Sequence, residues 1–192
     1  ENPDFRADML VTLRSASDKL DTLLARLSRY GAAAIDRLET VSANALARRA
    51  IAQFRSGQPV ELIEAEPCMI AGQGDLLEQA LVHLIQNGID ASGPDKPVLV
   101  RVATERFHGL IEVVDSGCGM SAEFIRTSLF KPFVSTKPGG FGIGAYEARE
   151  LIRAMGGTLT VESRERLGSR FTIRLPLAAA AEMLNNFSAK VA

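Results

Sequence analysis

Apolar residues recur at steps of three and four through the first thirty positions. Phe5, Met9, Leu13, Ala16, Leu20, Leu23 or Leu24, and Leu27 fall on one stripe of a helix. Asn2-Pro3-Asp4 supplies a cap and a first-turn proline, and Gly31 a stop. The near-heptad spacing leaves two readings. The helix packs on its own domain, or it is half of a helical hairpin whose other half precedes it. Beyond Gly31 helical and strand patterns alternate. A helix is predicted over residues 42–54, ending near Gly57, and short strands over 59–65 and 68–71. Residues 75–91 form a strong helix with Leu77, Leu81, Leu84 and Ile85 on its apolar side, broken by Ser92-Gly93-Pro94-Asp95. Residues 98–104 and 110–114 read as buried β-branched strands, and 121–129 as a short helix capped by Ser121. A loop rich in Pro, Ser, Thr, Lys and Gly covers 130–140. A helix over 142–155 ends at Gly156-Gly157, and strands over 158–163 and 169–175 follow. The Ala-rich tail after Pro176 reads as a short helix or a frayed end. The mixture predicts an α/β two-layer sandwich with antiparallel pairs at 98–114 and 158–175.

Composition narrows the classes without naming an activity. The chain has 192 residues and a net charge of -1, one domain plus a surplus on a prior of about 150 residues per domain. Balanced charge gives no long-range pull toward nucleic acid or anionic lipid. The absence of Trp, with only two Tyr, argues against a stacking platform for single strands. No apolar run approaches the roughly 18 residues of a membrane span. Cys68 and Cys118 stand alone, without CxxC spacing, so neither a zinc site nor a disulfide framework is indicated. A reducing, cytoplasmic setting fits this usage.

The glycines carry the chemistry. Asp115-Ser116-Gly117-Cys118-Gly119 follows a buried strand, and Gly140-Phe141-Gly142-Ile143-Gly144 opens a helix. A glycine-rich turn before a helix aims free N–H groups outward and suits phosphate. Either turn alone is weak evidence; two about 25 residues apart, one led by an Asp, are stronger. There is no GxxxxGK[ST], no dinucleotide GxGxxG, no HRD or DFG, and no GxSxG or HExxH. On the helix of residues 75–91, His83 and Asn87 are four apart and share a face away from the leucines. An Asn amide oxygen is a neutral hard ligand, suited to an octahedral Mg²⁺ that also binds phosphates.

Taken together, these segments resemble the GHKL ATP-binding domain, the Bergerat fold, shared by sensor histidine kinases, type II topoisomerases, heat-shock chaperones and mismatch-repair proteins. Residues 81–91 (LVHLIQNGIDA) are similar to the family's N box, and Asp115 to Gly119 to its first glycine box. Phe130-Lys131-Pro132-Phe133 is similar to the F box of sensor kinases, and Gly140 to Gly144 to the second glycine box. Gly168-Ser169-Arg170-Phe171 with Leu175-Pro176 is similar to the closing strand element. The ordered set runs from about Leu38 to Leu177. Residues 134–139 and 142–150 look most like the nitrogen-regulatory branch, and closer still like the sensor kinases of the exosortase (PEP-CTERM) system, which residues 2–5 and 83–87 also resemble.

The resemblance implies ATP and Mg²⁺ as ligands, with Asn87 on the metal and Asp115 on the adenine amino group. Gly117 and Gly119 allow close approach. Asp90, Phe130, Thr136, Gly140, Gly142, Ile143, Gly144 and Ser169 complete the expected binding set. His83, Asn87 and Lys137 are the candidate catalytic residues. Many sensor kinases carry Asn where this chain has His83, and Lys or Arg where it has Asp90; Lys137 is therefore the candidate for the missing positive charge. The resemblance also divides the chain. Residues 1–30 become the second helix of a dimerisation hairpin, residues 31–178 the catalytic ATP-binding domain, and 179–192 a tail. The implied reaction passes the γ-phosphoryl group of ATP to a histidine on an upstream helix absent here, since neither His83 nor His108 has an acidic neighbour following it. The implied partners are that helix, a response regulator reached indirectly, and a second copy in a full-length homodimer anchored in the membrane. No contact of this stretch with nucleic acid or membrane is expected. Two other readings stand beside it: an ATP-hydrolysing machine of the topoisomerase or chaperone kind, and a catalytically silent nucleotide-binding regulator.

Overall fold

Strict alternation of buried and exposed positions builds the central sheet. In a computed structural model, which describes residues 38–54, 59–64, 66–137 and 140–183, five strands lie in the order β2-β4-β5-β7-β6. They are β2 (Val60–Glu64), β4 (Val98–Glu105), β5 (His108–Asp115), β6 (Thr158–Arg164) and β7 (Gly168–Pro176). Val98, Val100 and Val102 of β4 point inward with Ile111 and Val113 of β5 and Phe171, Ile173 and Leu175 of β7. Across the other face run Arg101, Glu112, Arg170 and Glu162, linked at 3.2, 3.9 and 3.5 Å. The sheet is therefore apolar on one side and charged on the other, and the helices cover the apolar side.

Both expected antiparallel pairs form: β4 with β5, where Arg101 stands opposite Glu112, and β6 with β7, where Val161 stands opposite Phe171. The pairing of β2 with β4 is parallel and needs a crossover. That crossover contains β3 (Met69–Gly72) and the helix α2 (Gly74–Ala91). Among the described residues, ten elements fall where the sequence places them to within two residues. Of the rest, a strand β1 (Glu39–Ser42) pairs antiparallel with β3 and was not expected, because Glu-Thr-Val-Ser is too short and too polar to show a period. The helix expected from Gly142 begins at Gly144 instead. Gly142 has φ +65°, outside helical space, and Ile143 caps the helix α4 (Gly144–Ala154). Residues 178–183 are helical, settling the start of the tail. The predicted helix over residues 1–30, the stop at Gly57 and the end of the tail lie outside the described residues.

Each helix end has an identifiable cause. Ser42 Oγ accepts from Ala45 N at 3.3 Å to start α1 (Ala43–Ala52). Ser121 Oγ accepts from Phe124 N at 3.2 Å to start α3 (Ala122–Thr127). Asp75 in the first turn of α2 complements the helix dipole. Leu77, Leu81, Leu84 and Ile85 of α2 meet Leu151 and Ile152 of α4 and Leu46 of α1 in the core; all are fully buried.

One buried polar residue ties α1 to the sheet layer. Asn44 Oδ1 accepts from Cys68 N at 2.8 Å, and its Nδ2 donates to Glu66 O at 3.2 Å. Asn44→Ala leaves the buried Cys68 N–H without its acceptor, a loss of about 1–3 kcal/mol. Urea denaturation should show a lowered midpoint with an unchanged slope.

Candidate nucleotide site

The candidate residues gather where α2, α4 and the loop after β5 converge. On α2, Gln79, His83 and Asn87 follow at steps of four, and Asp90 comes three later, so a polar stripe runs beside the apolar one. On α4, Gly144, Glu147, Ala148, Leu151 and Ile152 form the stripe that packs inward. Gly144 is where the two helices come closest at the site. A Cβ placed there would stand 3.7 Å from both Asn87 Nδ2 and His83 Nδ1. His83 Nε2, on the other side of the ring, lies 3.0 Å from Glu147 Oε2, a contact short of an aligned hydrogen bond. Gln79 Nε2 donates to the other carboxylate oxygen at 2.8 Å.

Lys137 reaches from the loop of residues 130–140 onto this stripe. Its ammonium donates to Asn87 Oδ1 at 3.1 Å and to Asp90 Oδ2 at 2.9 Å. Both ends of the Lys137–Asp90 pair are more than a third exposed, so water screens it and its worth is at most about 1 kcal/mol. The contact still shows that the Asn87 oxygen is open to a cation. No group of three or more His, Cys, Asp or Glu side chains able to hold a metal occurs among the described residues. A metal at Asn87 therefore fits only an ion that draws most of its shell from phosphate and water, which is the habit of Mg²⁺.

Asp115 occupies the other end of the site, at the last position of β5 and buried. Its Oδ1 accepts from Gly117 N at 2.9 Å and from Ser169 N at 3.2 Å. Burial raises its pKa above the ordinary carboxylate range, and the Gly117 and Ser169 hydrogen bonds and the Lys137 charge offset part of that rise. Gly117 packs against the end of α2, where a Cβ would stand 2.3 Å from Ala91 O. Gly119 has φ +64°, and a Cβ there would stand 1.9 Å from Arg164 O, so no other residue fits the turn. Ser163 closes the floor: its Oγ accepts from Met120 N at 2.9 Å and lies 3.0 Å from Ser169 Oγ.

The remaining candidates are spread along the loop. Phe130 is half-buried under the Arg149 guanidinium, 4.7 Å above the ring, and Arg149 Nη2 donates to Phe130 O at 3.3 Å. Gly142 O accepts from Phe133 N at 3.0 Å, and Gly140 N donates to Lys137 O at 3.1 Å. Ile143 is half-buried at the start of α4, whereas Thr136 is exposed and away from the α2 stripe's hydrogen bonds. Three residues were missed by sequence reasoning: Glu147, Gln79 and Arg149. The first had a readable signal, a carboxylate at i+3 from Gly144 on a stripe otherwise made of small and apolar side chains.

Comparison with known proteins identifies the family. Residues 72–179 match the family model described as histidine kinase-, DNA gyrase B-, and HSP90-like ATPase. The chain belongs to this family, and its domain is accordingly an ATP-binding one. Sporulation kinase C of Bacillus subtilis is 36% identical over 114 residues, covering 59% of this chain and 26% of that protein. Sensor histidine kinase ZraS of Escherichia coli K12 is 32% identical over 140 residues, covering 73% of this chain and 28% of that protein. The chain thus spans little more than a quarter of the length of these two relatives. Among solved structures, the mycobacterial sensor histidine kinase MprB aligns with a TM-score of 0.66 at 23% identity, over 73% of this chain and 97% of that one. The full-length kinase ShkA aligns with a TM-score of 0.71 at 24% identity, over 90% of this chain and 39% of that one. Both confirm the α/β fold. No described helix is long and apolar enough to cross a membrane.

The raised pKa of Asp115 has a consequence for stability. A carboxyl whose folded pKa lies above its unfolded value favours the fold in its protonated form. Its contribution is lost as pH rises from the ordinary carboxylate range through the raised value. Asp115→Asn keeps an oxygen for the Gly117 and Ser169 N–H groups and removes the buried charge. Thermal melts should find this variant at least as stable as the parent at pH 7, with the difference shrinking as pH falls through the raised value and gone below about 4.

Proposed function

We propose that this chain is the catalytic domain of a sensor histidine kinase, which binds Mg-ATP and passes its γ-phosphoryl group to a histidine on an upstream helix. The carrying observation is the convergence of Asn87, His83 and Lys137 beside the start of α4, with the buried Asp115 carboxylate at the end of the strand against which Gly88 of α2 packs. That spacing separates a hydrogen-bond acceptor for the base from a cation-ready oxygen for the phosphates. Asp115 accepts from the adenine amino group, a charge-assisted bond worth roughly 1.5–3 kcal/mol. Gly117 and Gly119 keep the floor free of side chains. The loop of residues 140–143 and the first N–H groups of α4 receive the phosphates. Asn87 holds Mg²⁺, which when bound neutralises phosphate charge and orients the transferred group. Lys137 exchanges its contact with Asp90 for a phosphate oxygen and supplies the positive charge that Asp90 cannot. The chain's own part in phosphoryl transfer is positioning and charge neutralisation.

The acceptor helix, the second copy that completes the dimer, the response regulator and a membrane-anchored sensor belong to the parent protein under this reading. Residues 1–30 supply the second hairpin helix, residues 31–178 the catalytic domain and residues 179–192 the tail. The motifs over 134–139 and 142–150 resemble those of the nitrogen-regulatory and exosortase-system kinases, which supports a parent of that branch. The hydrolytic alternative calls for a carboxylate one turn before Asn87. His83 stands there and is engaged with Glu147, which favours the kinase.

Two measurements test the proposal. Asp115→Asn should weaken ATP by roughly 10–150-fold on the energy above, read by calorimetry; unchanged affinity removes the adenine assignment. Radiolabelled ATP with the acceptor helix supplied in cis or in trans should place label on the helix histidine. Tight ATP binding without label would identify a silent regulator, and rapid release of phosphate by the chain alone a hydrolase.

A further inference from the structure

We propose that Glu147 is the positioning residue of the phosphate end. It fixes the His83 ring with its proton on Nε2 and turns a bare Nδ1 toward the start of α4, and Gln79 holds the carboxylate in place. The role of Nδ1 rests on the nucleotide reading above; the orientation of the ring does not.

Three observations carry it. Glu147 is 4% exposed and lies on the inward stripe of α4, where a carboxylate is costly unless it is matched by partners. Its two oxygens are addressed by two residues one turn apart on α2, Gln79 at 2.8 Å and His83 at 3.0 Å. His83 is bracketed by one turn of α4: Glu147 meets Nε2, and the space above Gly144 meets Nδ1. A carboxylate offers only acceptors, so the ring nitrogen that faces it carries the proton. In the neutral ring the opposite nitrogen then has a lone pair. A lone pair does not suit a phosphate oxygen, which is itself an acceptor. It suits the O–H of a water, and a water that gives one O–H to a phosphate oxygen keeps a second to give. Glu147 thus determines what kind of group His83 presents to the cradle, without touching the nucleotide. The pairing also gives the histidine at position 83 a partner, the carboxylate of Glu147.

The test is imidazole ¹⁵N spectroscopy on the 192-residue chain, with His108→Gln to assign the two rings. His83 should show a protected proton on Nε2 and an unprotonated Nδ1. A non-hydrolysable Mg-ATP analogue should move the Nδ1 resonance. Glu147→Gln keeps the shape and an acceptor oxygen but removes the charge, and should speed exchange of the Nε2 proton roughly tenfold. Glu147→Leu should abolish the protection. A proton on Nδ1 in the parent chain, or ring exchange unchanged in Glu147→Gln, overturns the proposal. The Gln variant decides the matter if the Leu variant does not fold. If the analogue moves the amides of residues 140–144 but not Nδ1, the cradle-facing role fails. If it moves neither, the nucleotide reading fails, while the ring-proton measurements still decide the role of Glu147.

Discussion

The site depends on one helix being two-sided. Along α2, Leu77, Leu81, Leu84 and Ile85 enter the core, while Gln79, His83, Asn87 and Asp90 run down its flank. The first set fixes where the helix lies; the second inherits that position. Gly88 makes the arrangement tight, since a Cβ there would stand 3.2 Å from Val98 and 3.4 Å from the Asp115 Cβ. A mid-helix glycine costs about 1 kcal/mol relative to alanine. Here it sets α2 against the strand that ends in Asp115, so Asn87 and Asp115 are held relative to one another by packing instead of by loops.

Asp115 shows what that packing demands. A carboxylate held at the bottom of the groove loses hydration, and burial opposes its charge. Two backbone N–H groups restore part of the loss, and both come from turns shaped by glycine: Gly117 in its own loop and Ser169 just after Gly168. Gly168 has φ +101°, and a Cβ there would stand 2.0 Å from Asp115 O. Under the proposed function Gly117 serves twice, letting a base approach and helping to hold the acceptor for it. A site of this kind favours its ligand at the expense of the fold, a trade common at buried functional carboxylates.

The degree to which this was legible differs by level. The sheet was readable because β4, β5 and β7 alternate cleanly, and the core of α2 because four aliphatic residues share a face. Strand β1 was not, since its four residues bury too little to leave a period and it forms only because β3 offers an edge. The start of α4 was misplaced by two residues because periodicity cannot see that Gly142 sits at positive φ. Within the site, Asn87, Asp115 and the glycines were legible as motifs. Their partners were not: the Lys137–Asn87 bond spans 50 residues and the Gln79–Glu147 bond 68. Such pairs exist only once the loop and α4 have docked on α2, and no local pattern encodes the docking.

The net charge of -1 acquires a meaning from this arrangement. A domain that takes a polyanion needs positive potential at one place, and a broadly basic surface would draw unwanted polyanions as well. Here the start of α4 and Lys137 offer positive character beside Asn87. In this structure Lys137 is engaged with Asp90 and Asn87. A lysine and a divalent ion cannot occupy the same lone pairs of the Asn87 oxygen. Under the proposed function, a metal nucleotide held by Asn87 displaces the lysine, whose destination is the phosphate charge that arrives with the metal. Asp90, which in isolation looks like a carboxylate misplaced beside phosphate, then has a role on the other side of that exchange: it holds the lysine close to the groove until there is charge for it to neutralise.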